Sequence, residues 1–434
     1  LLKRTAIHQT NVDCDAGERI NDSLEKYNHI IISGTCNENI NIVFIDNPQS
    51  VLILEGSSGD PDVDRINAVN SDNSTVLISG AYNVQINNLT VSGGKYGIKG
   101  IKGAYISVNG SIIENNTNHG LRLEHGKGYV QNSKFLNNKY GIVAEKGSTL
   151  LVESSSFEDN LRVGIGVWLG SNGLIGNEPD TDENGDIDFN SSNGNTITGS
   201  KYGVWIADSS FARLIGNNIK CFSNSGVGVS EASSLDLGVN WEQADFNEHD
   251  NPMHYLNLNY NTFKLKYGNI IDGALCSGLD RDDWQNGVQV RESSSMRMYR
   301  NKIINNTASG IYVEYESTVV LAGGNEIKDN DENGFSLESA SLNQFSGEQG
   351  IEPSIVENNG ESAFNLDSSD LILRGGSVWD ESSNNQNLSN RFVISGHEVG
   401  IKARNGSLIE LQRVDIRNNT KKGIEISKNS TLST

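Results

Sequence analysis

Proline is scarce, with 5 residues in 434, and no apolar run approaches the roughly 20 residues that a bilayer-spanning helix needs. Insertion into a membrane is therefore not expected, and residues 1–10 lack the apolar stretch of a signal peptide. Cysteines number 4 and none stand as a Cys-x-x-Cys pair, which argues against a thiolate zinc site or a dithiol redox motif. Basic residues are outnumbered 34 to 55, for a net charge of −21. A nucleic acid or an anionic membrane is thus a poor main partner, because little is present to neutralise phosphates. The same acidity serves solubility.

What the chain has instead is glycine, 46 residues, with abundant Asn and Ser. That mixture feeds tight turns and short strands rather than long helices. One phrase recurs: Gly97-Ile98, Gly120-Leu121, Gly141-Ile142 and Gly164-Ile165, at intervals of 23, 21 and 23 residues. It continues at Gly203, Gly226, Gly287, Gly310, Gly334, Ala363, Gly400 and Gly423. An asparagine-rich turn precedes many copies, and a second short apolar run follows, as in Leu150-Leu151-Val152. A fixed period of this size is the mark of a solenoid whose units pack only on their neighbours. Each rung is expected to hold three short strands with alternate residues inside and outside. Asn115, Asn137, Asn305, Asn358 and Asn418 are expected to stack rung on rung, inside or at a turn.

Residues 1–48 are read as an N-terminal cap and opening coil. Ile20, Leu24 and Tyr27 fall at i, i+4 and i+7, which predicts one short amphipathic helix covering the solenoid's end. Residues 49–434 are read as one continuous solenoid with insertions near 171–199, 238–284 and 376–395. The last rung stops part-way at Ser427–Leu432 without a polar cap, so self-association or a further domain is expected at that end. Cys14 with Cys36 and Cys221 with Cys276 bracket the first segment and the longest insertion. Two disulfides and an extracellular or cell-surface location are expected, the alternative being four buried thiols.

The run Val12-Asp13-Cys14-Asp15-Ala16-Gly17, followed by Ile32-Ser33-Gly34-Thr35-Cys36 and then the glycine-led repeats, resembles exported right-handed parallel β-helix proteins of the pectate-lyase-like superfamily. The resemblance implies a single all-β, right-handed parallel β-helix, and the repeat phase, extrapolated to the early coils, gives it about fourteen rungs. It also implies that a substrate, where there is one, lies along a strand face. It does not imply one activity, because this architecture hosts many.

Two constellations carry chemistry. Asp180-Thr181-Asp182-Glu183-Asn184-Gly185-Asp186-Ile187-Asp188 matches the first nine positions of an EF-hand-type loop. Asp180, Asp182, Asn184, Asp186 and Asp188 would offer hard oxygen ligands to Ca2+. Ser191 replaces the bidentate Glu at position twelve, which favours a weak site of the kind found in extracellular modules.

The second is the outward column after each glycine: Arg122, Glu124, Glu145, Trp168, Trp205, Gln289, Arg291, Tyr312, Glu314 and Glu338. Rungs about 4.8 Å apart are close to one sugar unit in pitch, so this column suits contact with a polysaccharide or surface glycan. The bland reading is that its aromatic residues pack against overhanging insertions. For an enzyme, Arg291, Glu314, Asp282 and Asp283 are the candidate catalytic groups, since paired carboxylates can hydrolyse a glycosidic bond. The polygalacturonase Asn-Thr-Asp and Arg-Ile-Lys motifs are missing, as is the Arg-x-Pro-x-Arg run of pectate lyases. Asp250-Asn251-Pro252-Met253-His254 is too stretched to match the Asp-Pro-His of alginate epimerases. The leading expectation is thus a calcium-binding extracellular module of an adhesive or filament protein. The alternative is a secreted polysaccharide lyase or glycoside hydrolase working along the same face.

Overall fold

The structure is a computed structural model and describes residues 8–43, 51–80, 83–176, 194–238, 268–274, 284–344, 354–375, 378–380, 385–387 and 392–434. The chain forms two compact units, residues 1–177 with 193–212 and residues 178–192 with 213–434. Each is built the same way.

One rung of the first unit shows the plan. Tyr96–Ile101, Tyr105–Asn109 and Ile112–Glu114 are three short strands separated by tight turns. Each pairs in parallel with its counterpart one rung on, at His119–Glu124, Lys127–Gln131 and Lys134–Leu136. Three parallel sheets result, the arrangement of a right-handed parallel β-helix. Among the described residues the glycine-led sheet has seven strands in the first unit and seven in the second, matching the expected count. Ile98, Leu121, Ile142, Ile165 and Val204 form one buried row of the first core. Phe135 stacks on Phe157 at 5.1 Å, and in the second unit Phe335 stacks on Phe364 at 5.0 Å.

The repeated glycine has a steric cause. A Cβ on Gly97 would meet the Gly120 carbonyl oxygen, the Asn116 amide and the Ile113 side chain, all at 2.7 Å. The next coil leaves Gly97 no room for a Cβ, so glycine recurs at this position in most coils, with Ala363 in its place opposite Gly334.

The asparagine ladder lies one residue later than expected. Asn115, Asn137, Asn305, Asn358 and Asn418 take φ of +52° to +58° and supply the left-handed turn residue. That conformation is one asparagine tolerates better than most residues. Their neighbours make the ladder: Asn138 Oδ1 accepts from the backbone N–H and the Nδ2 of Asn116, both at 3.0 Å, and Asn160 serves Asn138 likewise. In the second unit Asn306, Asn330 and Asn359 continue the scheme, and His397 Nδ1 accepts from the Asn359 N–H in the place of an asparagine. Serines line a second buried turn, Ser148 Oγ accepting from the Gly126 N–H and Ser171 Oγ from the Ser148 N–H. Buried backbone donors are thereby paired at each of these turns.

The N-terminal helix is not there; no helix occurs among the described residues. Ile20–Tyr27 instead forms consecutive turns, with the Ser23 N–H bonded to the Ile20 carbonyl and the Lys26 and Tyr27 N–H groups to the Ser23 carbonyl. The buried carboxylate of Glu38 takes the N–H groups of Ile20 and Asn21. A segment this short cannot offset helix nucleation alone, and the side-chain anchor selects turns. Ile20 and Leu24 are buried all the same, so their spacing marks packing rather than helix. Parallel strands at Gln9–Asp13 and His29–Ser33 already lie inside the segment read as a cap.

Cys14 and Cys36 form a disulfide with Cα atoms 5.0 Å apart. Cys221 is also disulfide-bonded, and Cys276 lies outside the described residues, as do the loop Asp180–Asp188 and the pair Asp282 and Asp283.

Candidate functional site

The outward face of the glycine-led sheet in the first unit carries a cleft of about 220 Å³ lined by Asn118, His119, Arg122, Lys139, Tyr140, Glu145 and Trp168. It spans three rungs, from His119 through Tyr140 to Trp168, and Tyr96 stands in register with His119 one strand before. Their rings form a row: Tyr96 to His119 is 5.4 Å between centroids, and His119 to Tyr140 is 4.8 Å and stacked. Trp168 closes one end, edge-on to Tyr140 at 5.7 Å. Its ring lies across Gly166, where a Cβ would come within 2.7 Å of it. The glycine makes the room, so the indole folds over the sheet.

The floor is an ion network. Arg122 donates from Nε and Nη2 to Glu145 Oε1, at 3.1 and 2.5 Å, and from Nη1 to the Tyr96 hydroxyl at 2.9 Å. Glu124 faces Lys99 at 3.0 Å, Arg122 at 3.3 Å and Lys146 at 2.5 Å. Burial alone would raise the Glu124 carboxyl, but its bonds to Lys146 and Lys99 outweigh that and hold it down at about 2. Burial lowers Arg122, and its bonds to Glu145 more than reverse the effect. His119 is only 6% exposed, and burial followed by the positive charge of Arg122, Lys139 and Lys99 pushes its imidazole down to about 3. It is a neutral ring at physiological pH.

Three polar atoms of this cleft find no partner in the protein among the described residues: Asn118 Oδ1, His119 Nδ1 and Trp168 Nε1. Buried polar groups are normally paired, and an unpaired one costs about 1–3 kcal/mol. An acceptor, an imidazole nitrogen and an indole donor left open around one cleft, beside aromatic faces, are what a polyhydroxylated ligand would satisfy.

Charge is concentrated here as well. The cleft and its floor hold Lys99, Arg122, Lys139 and Lys146 against Glu124 and Glu145, an excess of two positive charges in a chain of net −21. The whole-chain balance therefore misdescribes this face.

Of the residues expected in the ligand column, Arg122, Glu124, Glu145 and Trp168 come together here. Trp205 stands opposite Gly166 on the next strand and leans on Tyr202 at 4.5 Å, outside the cleft. Gln289, Arg291, Tyr312, Glu314 and Glu338 belong to the second unit and form their own group. Gln289 is in register with Tyr312 and Glu314 with Glu338. The Tyr312 hydroxyl donates to Glu314 Oε2 at 3.0 Å. Burial raises the Glu314 carboxyl, with Glu338 and Glu292 adding to it and Tyr312 and Arg291 opposing. Burial and Glu314 together raise the Tyr312 phenol strongly.

Tyr96, Asn118, His119, Lys139 and Tyr140 escape a reading that begins each repeat at its glycine, because they stand one or two places before it. The signal is present in Lys95-Tyr96-Gly97, Asn118-His119-Gly120, Lys139-Tyr140-Gly141 and Lys201-Tyr202-Gly203. Among the described residues, no group of three or more His, Cys, Asp or Glu is placed to hold a metal ion.

No curated protein matches the sequence. Among solved structures, the periplasmic alginate epimerase AlgG aligns over 99% of this chain and 84% of its own, at 12% identity and a TM-score of 0.43. The Azotobacter vinelandii mannuronan C-5 epimerase AlgE6 A-module aligns over 93% and 90%, at 10% identity and a TM-score of 0.23. The catalytic domain of a GH87 alpha-1,3-glucanase aligns over 98% and 68%, at 13% identity and a TM-score of 0.24. These likenesses are too distant to bear on activity. The family described as "Right handed beta helix region" matches residues 28–178 and 193–375, most of the sequence, and the glycine-led parallel coils described above are its architecture, so the chain belongs to the right-handed β-helix family.

Proposed function

We propose that this protein is a polysaccharide-active β-helix protein and that the cleft around His119 seats one sugar unit of its substrate. The observation that carries this reading is the trio of unpartnered polar atoms, Asn118 Oδ1, His119 Nδ1 and Trp168 Nε1, gathered beside the rings of Tyr140 and Trp168. Sugar hydroxyls both donate and accept, and their C–H faces pack on aromatic rings. A purely adhesive surface has less reason to keep such groups buried and open.

The carboxylates speak on the type of reaction. Two-carboxylate hydrolysis needs one protonated acid at working pH. Glu124 is held ionised at about 2 and cannot serve as that acid, and Glu145 Oε1 is taken up by two hydrogen bonds from Arg122. An imidazole held near 3 is too weak a base to take a proton from carbon at neutral pH, so His119 is a neutral hydrogen-bond partner for a sugar hydroxyl, and Arg122 is already neutralised by Glu145. These groups support the binding of a sugar in this cleft and supply it neither a general acid nor a general base. Cys14–Cys36 supports work in an oxidising compartment, extracellular or periplasmic.

The test is to incubate the protein with a polysaccharide panel, with and without calcium, and follow both reducing ends and unsaturated products. Polysaccharide binding or product formation that is lost in His119→Ala while the variant stays folded supports the reading. Absence of both binding and product across the panel overturns the reading itself.

A further inference from the structure

The positions two residues before each repeat glycine line up along the first unit: Lys95, Asn118, Lys139, Arg162 and Lys201. Backbone bonds fix them on successive rungs. The Asn118 N–H bonds to the Lys95 carbonyl, the Tyr140 N–H to that of Asn118, the Arg162 N–H to that of Lys139 and the Tyr202 N–H to that of Arg162, at 2.8–2.9 Å. Four of the five positions are cationic, and neighbours are about 4.8 Å apart.

These cations differ from those under the cleft. Lys99, Arg122 and Lys146 are neutralised by Glu124 and Glu145. Lys95, Lys139, Arg162 and Lys201 form no ion pair among the described residues. Lys95 and Arg162 are exposed, and Lys139 and Lys201 are half-buried. The ammonium groups of Lys95, Lys139 and Lys201 stand 5.6–5.8 Å from the ring centroids of Tyr96, Tyr140 and Tyr202. A tyrosine face holds each long side chain near one place at low entropic cost. The result is a straight row of unneutralised charge, running past the cleft along the solenoid axis on a protein that is otherwise acidic.

We infer that this row is the binding track for a linear acidic polysaccharide bearing one anionic group per sugar, laid along the axis with its charges on Lys139, Arg162 and Lys201 and the sugar beside them in the His119 cleft. The pitch of the rungs, close to one sugar unit, sets successive anions against successive cations. Asn118, the neutral member, stands where the cleft opens, leaving its free Oδ1 to a hydroxyl rather than a carboxylate. The inference rests on the cleft as a sugar seat and adds the charge class and direction of the chain. An acidic surround would repel such polymers elsewhere on the surface and so restrict them to this track.

The experiment titrates the whole protein with a homopolymeric uronan and with a neutral glucan of matched length, by calorimetry at low and at physiological salt. Binding of the uronan that weakens at least tenfold between the two salts supports the track. Lys139→Ala and Arg162→Ala are each expected to weaken it about fivefold, on the scale of one basic residue near an anionic surface. Lys134→Ala, an exposed lysine on another sheet, serves as the control and is expected to change nothing. Uronan binding unmoved by Lys139→Ala and Arg162→Ala overturns the track, and so does preferential, salt-insensitive binding of the glucan, which leaves the sugar seat standing. Failure of both polymers to bind removes the seat as well.

Discussion

The ladder one residue past each turn can be tested by a pair of substitutions at adjacent asparagines. In Asn138→Ala the Asn116 backbone N–H loses its acceptor, the Ile113 carbonyl loses the Asn138 Nδ2 donor, and the side-chain link to Asn160 is cut. All of these groups are buried, and each orphaned one costs about 1–3 kcal/mol. Partial relaxation of the coil brings the expected total to about 3–5 kcal/mol, a large share of what most domains possess. Asn137 is exposed at φ +52°, so Asn137→Ala meets only the left-handed backbone penalty, about 1 kcal/mol, and Asn137→Gly is expected to be neutral. Because rungs are stabilised by nearest neighbours, the loss should be local. Urea denaturation gives the total, and hydrogen exchange at Asn116, Asn138 and Asn160 shows where protection disappears. A loss below about 1 kcal/mol for Asn138→Ala, or a larger one for Asn137→Ala, would refute the ladder argument.

Four further outcomes follow from the same geometry. His119, held near 3 in the fold against about 6.5 in an unfolded chain, binds fewer protons when folded; stability is complete above pH 6.5 and falls by about 1.4 kcal/mol per unit as pH drops towards 3. Melting of His119→Phe between pH 7 and 4 should show a shallower slope than the parent, and parallel slopes would contradict the assignment. Glu145→Gln deprives Arg122 of its charged acceptor and is expected to cost about 2 kcal/mol, with weaker uronan binding as Arg122 reorients; an unchanged denaturation midpoint would count against the floor network. His397→Asn should restore an all-asparagine ladder and remove an acid-sensitive group whose pKa burial lowers, so that the melting temperature at pH 5 rises relative to the parent. A chelator should lower the melting temperature, and Asp182→Ala should abolish that response, if the acidic loop 180–188 holds calcium; no shift removes the calcium expectation.

The site was half legible in the sequence. Alternation after each glycine led to Arg122, Glu124 and Trp168, because side chains on a strand alternate sides whatever surrounds them. It passed over His119 and Tyr140, whose positions before the glycine look like turn residues until the coils are stacked. Neighbouring turns then bring three aromatic rings, 21 to 23 residues apart, into one row. Trp205 has the same parity, but its indole leans on Tyr202 and does not line this cleft.

The amino-acid sequence by itself determined the coil. A glycine with no room for a Cβ, a left-handed asparagine and alternating apolar residues are local requirements of each turn, and they repeat because every rung faces the same neighbours. Tertiary structure alone decided three other things: which asparagine bonds to the next rung, that Glu38 holds residues 20–27 as turns rather than a helix, and that the charges of residues 95–201 fall into a neutralised floor and an open row. Those depend on distances between residues a coil apart, and hydrogen bonds and ion pairs are settled by such distances, within an ångström or so, rather than by composition.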